Sequence, residues 1–392
     1  MRVFICCPTS FATGGTELLH QLAKNLSDRG VDAYLWYPNH KTWQCPTPST
    51  FAKYEVKYVT RYIDAEDSVL VLPETQVPLH SICKLGKVVV WWMSVDNYFY
   101  TYAKPGVEVL DYFGLKERED VLHLYQSEYA KRFVEMEFAR SKVLSLKDYI
   151  NEDIINTAKL YNGKAERKDI CLYNPRKGYE NIEPIIKACR KDITWIPLQD
   201  LKPQEMAALM CMSKVYIDFG AHPGKDRIPR EAAICGVCVI TNREGSAVYK
   251  EDVYIPEKWK IQDMKNVEET LLCIYELVDN YDTHKEEYDE YRERIKNEKS
   301  EFRSDIEAFI KEIAAVDEKR IMHIEDEDGL LYETMQQVLE EMSRLLNASY
   351  QCSREDNAGK AMNYLCDVDY YMQVLKEGIF SKIESFRKKD EE

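Results

Sequence analysis

Short runs that are apolar on both faces recur along this chain, separated by helical repeats, and that alternation limits the fold more than any single residue does. In the first half the runs are RVFICC (2–7), DAYLWY (32–37), SVLVLP (68–73), KVVVWWM (87–93), HLYQS (123–127) and KVLSL (142–146). Each is rich in β-branched or aromatic residues and bounded by turn formers. Between the first two, TELLHQLAKNLSDRG places Leu18, Leu22 and Leu26 four apart, with Gly30 where a helix should stop. A strand without a polar face must be covered on both sides, so these runs predict a parallel sheet with helices on each face. The alternation restarts after the polar stretch NGKAERKD (162–169). DICLYN (169–174), ITWIPL (193–198), KVYIDFG (214–220), VCVITN (237–242) and DVYIP (252–256) read as strands, with helical patterns over 180–190, 202–213 and 229–235. The expected fold class is α/β: two doubly wound domains in tandem with a cleft between them.

Length agrees, because 392 residues exceed what one core usually holds. The expected domains are residues 1–161 and 166–315, followed by a helical extension over 325–392. Strands cease from about 262, and 283–320 is dense in charge, the mark of a solvated helical face. Beyond it Leu331, Met335, Val338, Met342 and Leu345 step by four and three. Ala361, Leu365, Val368, Met372, Leu375 and Ile379 do the same after the breaker NASYQCSREDNAG. This predicts a helical hairpin whose seams are too short to stand alone. It is expected to fold back on its own body, with self-association or a protein partner as the alternative.

Charge and cysteine usage narrow the function. With 53 Lys and Arg against 68 Asp and Glu, the net charge of −15 disfavours nucleic acid but leaves room for a small anion in a local basic pocket. Cys6, Cys7, Cys171, Cys235 and Cys238 lie in apolar runs, where a reduced thiol packs as a small hydrophobe. The start MRVFICCPTS does not read as a secretory signal, so a reducing cytoplasm is expected, with at most a peripheral visit to the inner membrane face. No apolar run approaches the roughly 18 residues of a membrane span. No Cys or His spacing matches a zinc site, so neither metal nor cofactor is expected.

Open α/β sheets bind ligands at the carboxyl ends of their strands. After the first strand, Gly14 and Gly15 allow close backbone approach to a ligand, and Thr16 is placed to cap the helix that follows. Alone the signal is weak, and an ordinary tight strand-to-helix turn is the plainer reading. After DICLYN come Arg176, Lys177 and Gly178, two cations and a turn former that suit a diphosphate. After KVYIDFG, the loop carries His222, Lys225, Asp226 and Arg227, with Pro229, Arg230 and Glu231 opening a short helix. Glu231 suits the vicinal hydroxyls of a ribose, although a carboxylate near a helix start is favourable by electrostatics alone. Gly245 and Ser246 form a further turn after VCVITN. In WWMSVDNYF, Trp92 and Asn97 offer a sugar-binding surface and Asp96 a general base.

These segments resemble GT-B glycosyltransferases, particularly the large retaining family 4 and its relatives. REAAICGVCVITN is similar to the family's EAMACGTPVVA segment, and PRKGYENIEPIIKAC to its donor-diphosphate segment. TGGTELLHQLAKNLSDRGVDAYLW resembles its amino-terminal glycine loop and first helix, and the likeness spans about residues 1–260. The resemblance implies two Rossmann-like domains of the GT-B type, a nucleotide-sugar donor held by the second and a glycan or lipid-linked acceptor held by the first. It implies donor contacts from Arg176, Lys177, Lys225, Arg227, Glu231, Gly245 and Ser246, and acceptor contacts from Gly14, Gly15, Trp92 and Asn97. Catalytic roles fall to Asp96, His222 and Lys177, with metal-independent transfer in surface polysaccharide synthesis as the expected activity. One departure stands out: the family carries a second glutamate where this chain has Pro223. A nucleotide-sugar epimerase and a catalytically inactive scaffold are the alternatives.

Overall fold

The computed structural model describes residues 1–8, 11–38, 40, 45–103, 112–161, 164–315 and 327–354, together with 361, 364, 365, 368 and 372. Seven strands form the first sheet: β1 (Arg2–Cys6), β2 (Asp32–Trp36), β3 (Tyr58–Val59), β4 (Ser68–Pro73), β5 (Lys87–Trp92), β6 (Leu122–Tyr125) and β7 (Lys142–Ser145). Their order is β3-β2-β1-β4-β5-β6-β7. β1 runs parallel to both β2 and β4, pairing Val3 with Ala33 on one side and with Val69 on the other. Helices α1 (Gly14–Ser27), α2 (Val95–Tyr102), α3 (Glu128–Glu137) and α4 (Glu152–Tyr161) fall along this half of the chain. Every residue of β4 is buried, as a strand apolar on both faces requires.

The second sheet contains β8 (Lys168–Tyr173), β9 (Thr194–Pro197), β10 (Ser213–Asp218), β11 (Cys238–Asn242) and β12 (Lys260–Ile261), in the order β12-β11-β10-β8-β9. All its pairings are parallel. Helices α5 (Tyr179–Ala188), α6 (Pro203–Met212), α7 (Arg227–Ile234), α8 (Val267–Asp279) and α9 (Tyr281–His284) connect or follow its strands, and the long α10 (Asp289–Ala314) and α11 (Glu327–Arg354) complete the described chain. The core under this sheet joins Cys171, Leu172, Ile217, Val239 and Ile240 to Ile274 and Tyr288. The chain separates into two compact units, residues 1–72, 78–89 and 312–392 in one, and 73–77 and 90–311 in the other. The five-stranded sheet belongs wholly to the second.

Several details depart from the sequence reading. DVYIP is not a strand. The amides of Asp252 and Val253 turn back to the Tyr249 carbonyl, and Ile255 to Val253, so local turns use the donors a ladder would need. The edge strand of the second sheet is instead Lys260–Ile261, too short to show periodicity. The cap of α1 is Thr13, whose hydroxyl accepts from the Thr16 amide at 3.2 Å while the Thr16 hydroxyl accepts from the Thr13 amide at 2.9 Å. The breaker expected at 347–359 is helical up to Arg354. Met342 and Leu345 of the first seam are buried, whereas Leu365 and Met372 of the second are 43% and 39% exposed. The Leu331, Met335 and Val338 side chains, and Leu375 and Ile379, lie outside the described residues.

Candidate functional site

In the five-stranded sheet, β9 lies on one side of β8 and β10 on the other. β8 and β10 are therefore the neighbours at which the strand order reverses, and a crevice is expected at their carboxyl ends. Gly178 ends the loop after β8 in the left-handed region, φ 66°, and a Cβ there would fall on the Phe219 carbonyl of the loop after β10. The two loops thus touch, backbone on backbone. Lys177 reaches across, its Nζ 3.1 Å from Asp226 Oδ1. His222 has no exposed surface, and its Nδ1 stands 3.1 Å from Asp226 Oδ2. Asp218, at the end of β10, is buried beside them and accepts from the Tyr216 hydroxyl at 2.7 Å and the Gly220 amide at 3.2 Å.

The turn after β11 locks onto the same loop. Gly245 takes φ 50°, and a Cβ there would fall on the His222 carbonyl. The Ser246 amide donates to that carbonyl at 2.8 Å, and its hydroxyl donates to the Gly224 carbonyl at 2.6 Å. Both Ser246 donors thus bind the loop. Gly224 also forms an antiparallel bridge with Ser94 at the end of β5. A cleft of about 500 Å³ follows, lined among others by Lys177, Gly178, Ala221, Pro223, Glu244 and Asn97.

Electrostatics mark two carboxylates here. Burial alone would raise Asp226, but His222 and Lys177 outweigh it and hold the carboxyl below its ordinary value. Burial would lower His222, yet the adjacent Asp226, with Asp218 near, holds the imidazole above its ordinary value. Glu74, just past β4, is 3% exposed and accepts from the Met93 amide at 3.1 Å. Burial pushes its carboxyl up to about 7 despite that hydrogen bond.

The remaining expected residues divide. Arg176 is 72% exposed and pairs with Asp200 at 3.0 Å. Lys225 and Arg227 turn to carboxylates: Lys225 Nζ lies 2.8 Å from Glu298, and Arg227 Nε 3.9 Å from Asp148. Between them Arg230, wholly buried, meets Asp148 at 2.7 Å and Glu298 at 2.9 Å. Glu231 is 6% exposed on α7. Asp96 accepts from the Tyr129 hydroxyl at 2.6 Å, and Asn97 is exposed. Trp92 has no exposed surface; its indole donates to His123 at 3.0 Å and packs on Phe133 and Phe138, so its ring belongs to the core. Gly14 and Gly15 begin α1, in the other compact unit. Sequence reasoning passed over Asp218, Asp148, Glu298 and Glu74. For Asp218 a signal existed, the four-residue steps from 218 to 222 to 226; the others come from distant segments with no local mark.

No protein-family model matches the sequence, and no curated protein does. Solved structures do. The sucrose-phosphate synthase of Thermosynechococcus elongatus superposes with a TM-score of 0.57 at 12% identity, covering 80% of this chain and 99% of that one. HepE of Anabaena, solved with UDP, gives 0.55 at 10% identity, covering 80% and 98%. The UDP-forming trehalose-phosphate synthase of Burkholderia vietnamiensis gives 0.54 at 9%, covering 80% and 99%. These neighbours are GT-B glycosyltransferases, and the fold of this chain is GT-B.

Proposed function

We propose that this chain transfers a sugar from a nucleotide-activated donor to a glycan or lipid-linked acceptor, in the assembly of a surface polysaccharide. The observation that carries the reading is Lys177, a half-exposed cation on the rim of a crevice at the sheet's switch point. GT-B structures similar to this one have been solved with UDP and with UDP-glucose. Departure of a nucleoside diphosphate concentrates negative charge on its terminal phosphate, and a fixed ammonium there stabilises the transition state more than the ground state. Lys177 exchanges its contact with Asp226 for that phosphate, and Glu231 serves the ribose hydroxyls. Asp96, held at one oxygen by Tyr129, keeps the other for the acceptor's proton.

Pro223 favours one second reading, a fold retained as a scaffold after loss of transfer, because the resembled family has a carboxylate there. Calorimetry with UDP and UDP-glucose separates the two. The expected result is saturable binding that weakens at least about tenfold in Lys177→Ala, or about 1.4 kcal/mol, and also weakens in Glu231→Ala. Affinity unchanged in both variants removes the reading, and no binding by the wild type supports the scaffold.

A further inference from the structure

Asp218, His222 and Asp226 present one ligand atom each within 4.8 Å of one another, at the end of β10 and along the loop before α7. All three are removed from bulk water: His222 is 0% exposed, Asp218 2%, and the Asp226 side chain 18%. Their polar atoms are incompletely satisfied. Among the described residues, His222 Nε2 has no hydrogen-bond partner; His222 Nδ1 and Asp226 Oδ2 are 3.1 Å apart without the alignment of a hydrogen bond. A buried polar atom left without a partner is destabilising, and His222 Nε2 with Asp226 Oδ2 leaves two such atoms at one point. Two ligands bound at about 2.1 Å in adjacent positions stand about 3 Å apart, which is the spacing of His222 Nδ1 and Asp226 Oδ2.

We infer that Asp218, His222 and Asp226 form a binding site for a divalent first-row cation such as Mn²⁺ or Zn²⁺. One imidazole and two carboxylates are the ligand types those ions share. Three protein ligands leave positions for water or for an oxygen of a bound ligand. Tyr216, which donates to Asp218 at 2.7 Å, orients its carboxylate from behind, as outer-shell donors do in metal sites. Lys177 competes for Asp226 through Oδ1, leaving Oδ2 to the cation. The sequence reading expected no metal because it sought cysteine or paired-histidine spacings. The pattern here is instead Asp-x₃-His-x₃-Asp, carried by a loop rather than one helix face.

This site shares Asp226 with the Lys177 contact, but it is tested without nucleotide, so its failure is distinguishable from that of the donor reading. The full chain, stripped with a chelator, is titrated with MnCl₂ or ZnCl₂ alone by calorimetry. The expected result is one equivalent bound, with at least tenfold weaker binding in His222→Gln and in Asp226→Asn. Electron spin-echo modulation of bound Mn²⁺ in the wild type should show coupling to an imidazole nitrogen, a readout that needs no variant to fold. Lys177→Ala should bind the cation as well as or better than wild type, although it loses UDP. Absence of a saturable site for either ion, a Mn²⁺ spectrum without nitrogen coupling, or equal affinity in folded His222→Gln and Asp226→Asn overturns the inference.

Discussion

Glu74 shows how far one residue's chemistry can be set by where a strand ends. The carboxylate follows β4, is buried against the Met93 amide, and holds its proton to about 7 against an ordinary value of 4.5. Between those values the folded chain keeps a proton that the unfolded chain has lost, so stability should fall as pH rises through that window and level off above it. The difference amounts to about 3 kcal/mol. Urea unfolding at about pH 5 and about pH 8 should show a smaller loss for Glu74→Gln than for wild type; equal losses would mean the carboxylate is already ionised in the fold. The apolar run SVLVLP announced the strand but not this residue, because its hydrogen-bond partner, the Met93 amide, is nineteen positions away. Lys177 and Glu231 could be proposed from the sequence for the opposite reason: each directly follows or adjoins a turn that the sequence itself marks.

At the scale of elements, a buried charge cluster ties α7 to α10. Arg230 sits between Asp148 and Glu298, 82 and 68 residues away, and also donates to the Asp226 and Lys225 carbonyls, so it fixes the backbone of the loop that carries His222. Burial alone would raise the Asp148 carboxyl, but Arg230 and Lys225 prevail and hold it below its ordinary value. Removing the guanidinium leaves two carboxylates in the interior. Arg230→Leu should therefore cost about 3–5 kcal/mol, measured as a lower urea midpoint, and a change under about 1 kcal/mol would show that water reaches the cluster. Periodicity foretold most strands and helices because each reflects its own segment's burial. It could not foretell that Lys225 and Arg227 turn to Glu298 and Asp148, since those partners come from the loop after β7 and from α10. Nor did it find Asp252, whose carboxylate accepts from the Glu128 and Tyr129 amides at 2.8 and 3.0 Å and so adds a second cap to α3 beside Ser127.

At the scale of the whole molecule, α11 packs on the body of its own unit. Arg344 of α11 donates to the Thr60 hydroxyl at 2.7 Å, Arg61 lies 3.6 Å from Glu340, and Met342, Leu345 and Ala348 are buried. A chain ending at residue 320 should melt at a lower temperature while light scattering returns the same oligomeric state; a fall in that state would assign this helix to a second copy instead. Among the described residues, no helix is long and apolar enough to cross a membrane. The first seam was visible in sequence as heptad spacing, but the contacts of α11 with Thr60 and Arg61 beside β3 were not, because β3 is only two residues long. The crowded rim of the crevice carries a consequence for how such a protein can diversify. Gly178 rests on the Phe219 carbonyl and Gly245 on that of His222, so the loops are stacked with no slack. A lengthened loop would unseat its neighbour. A lineage or a laboratory library seeking a new ligand preference in this crevice should succeed by exchanging lining side chains such as Ala221 and Pro223, and fail through insertions.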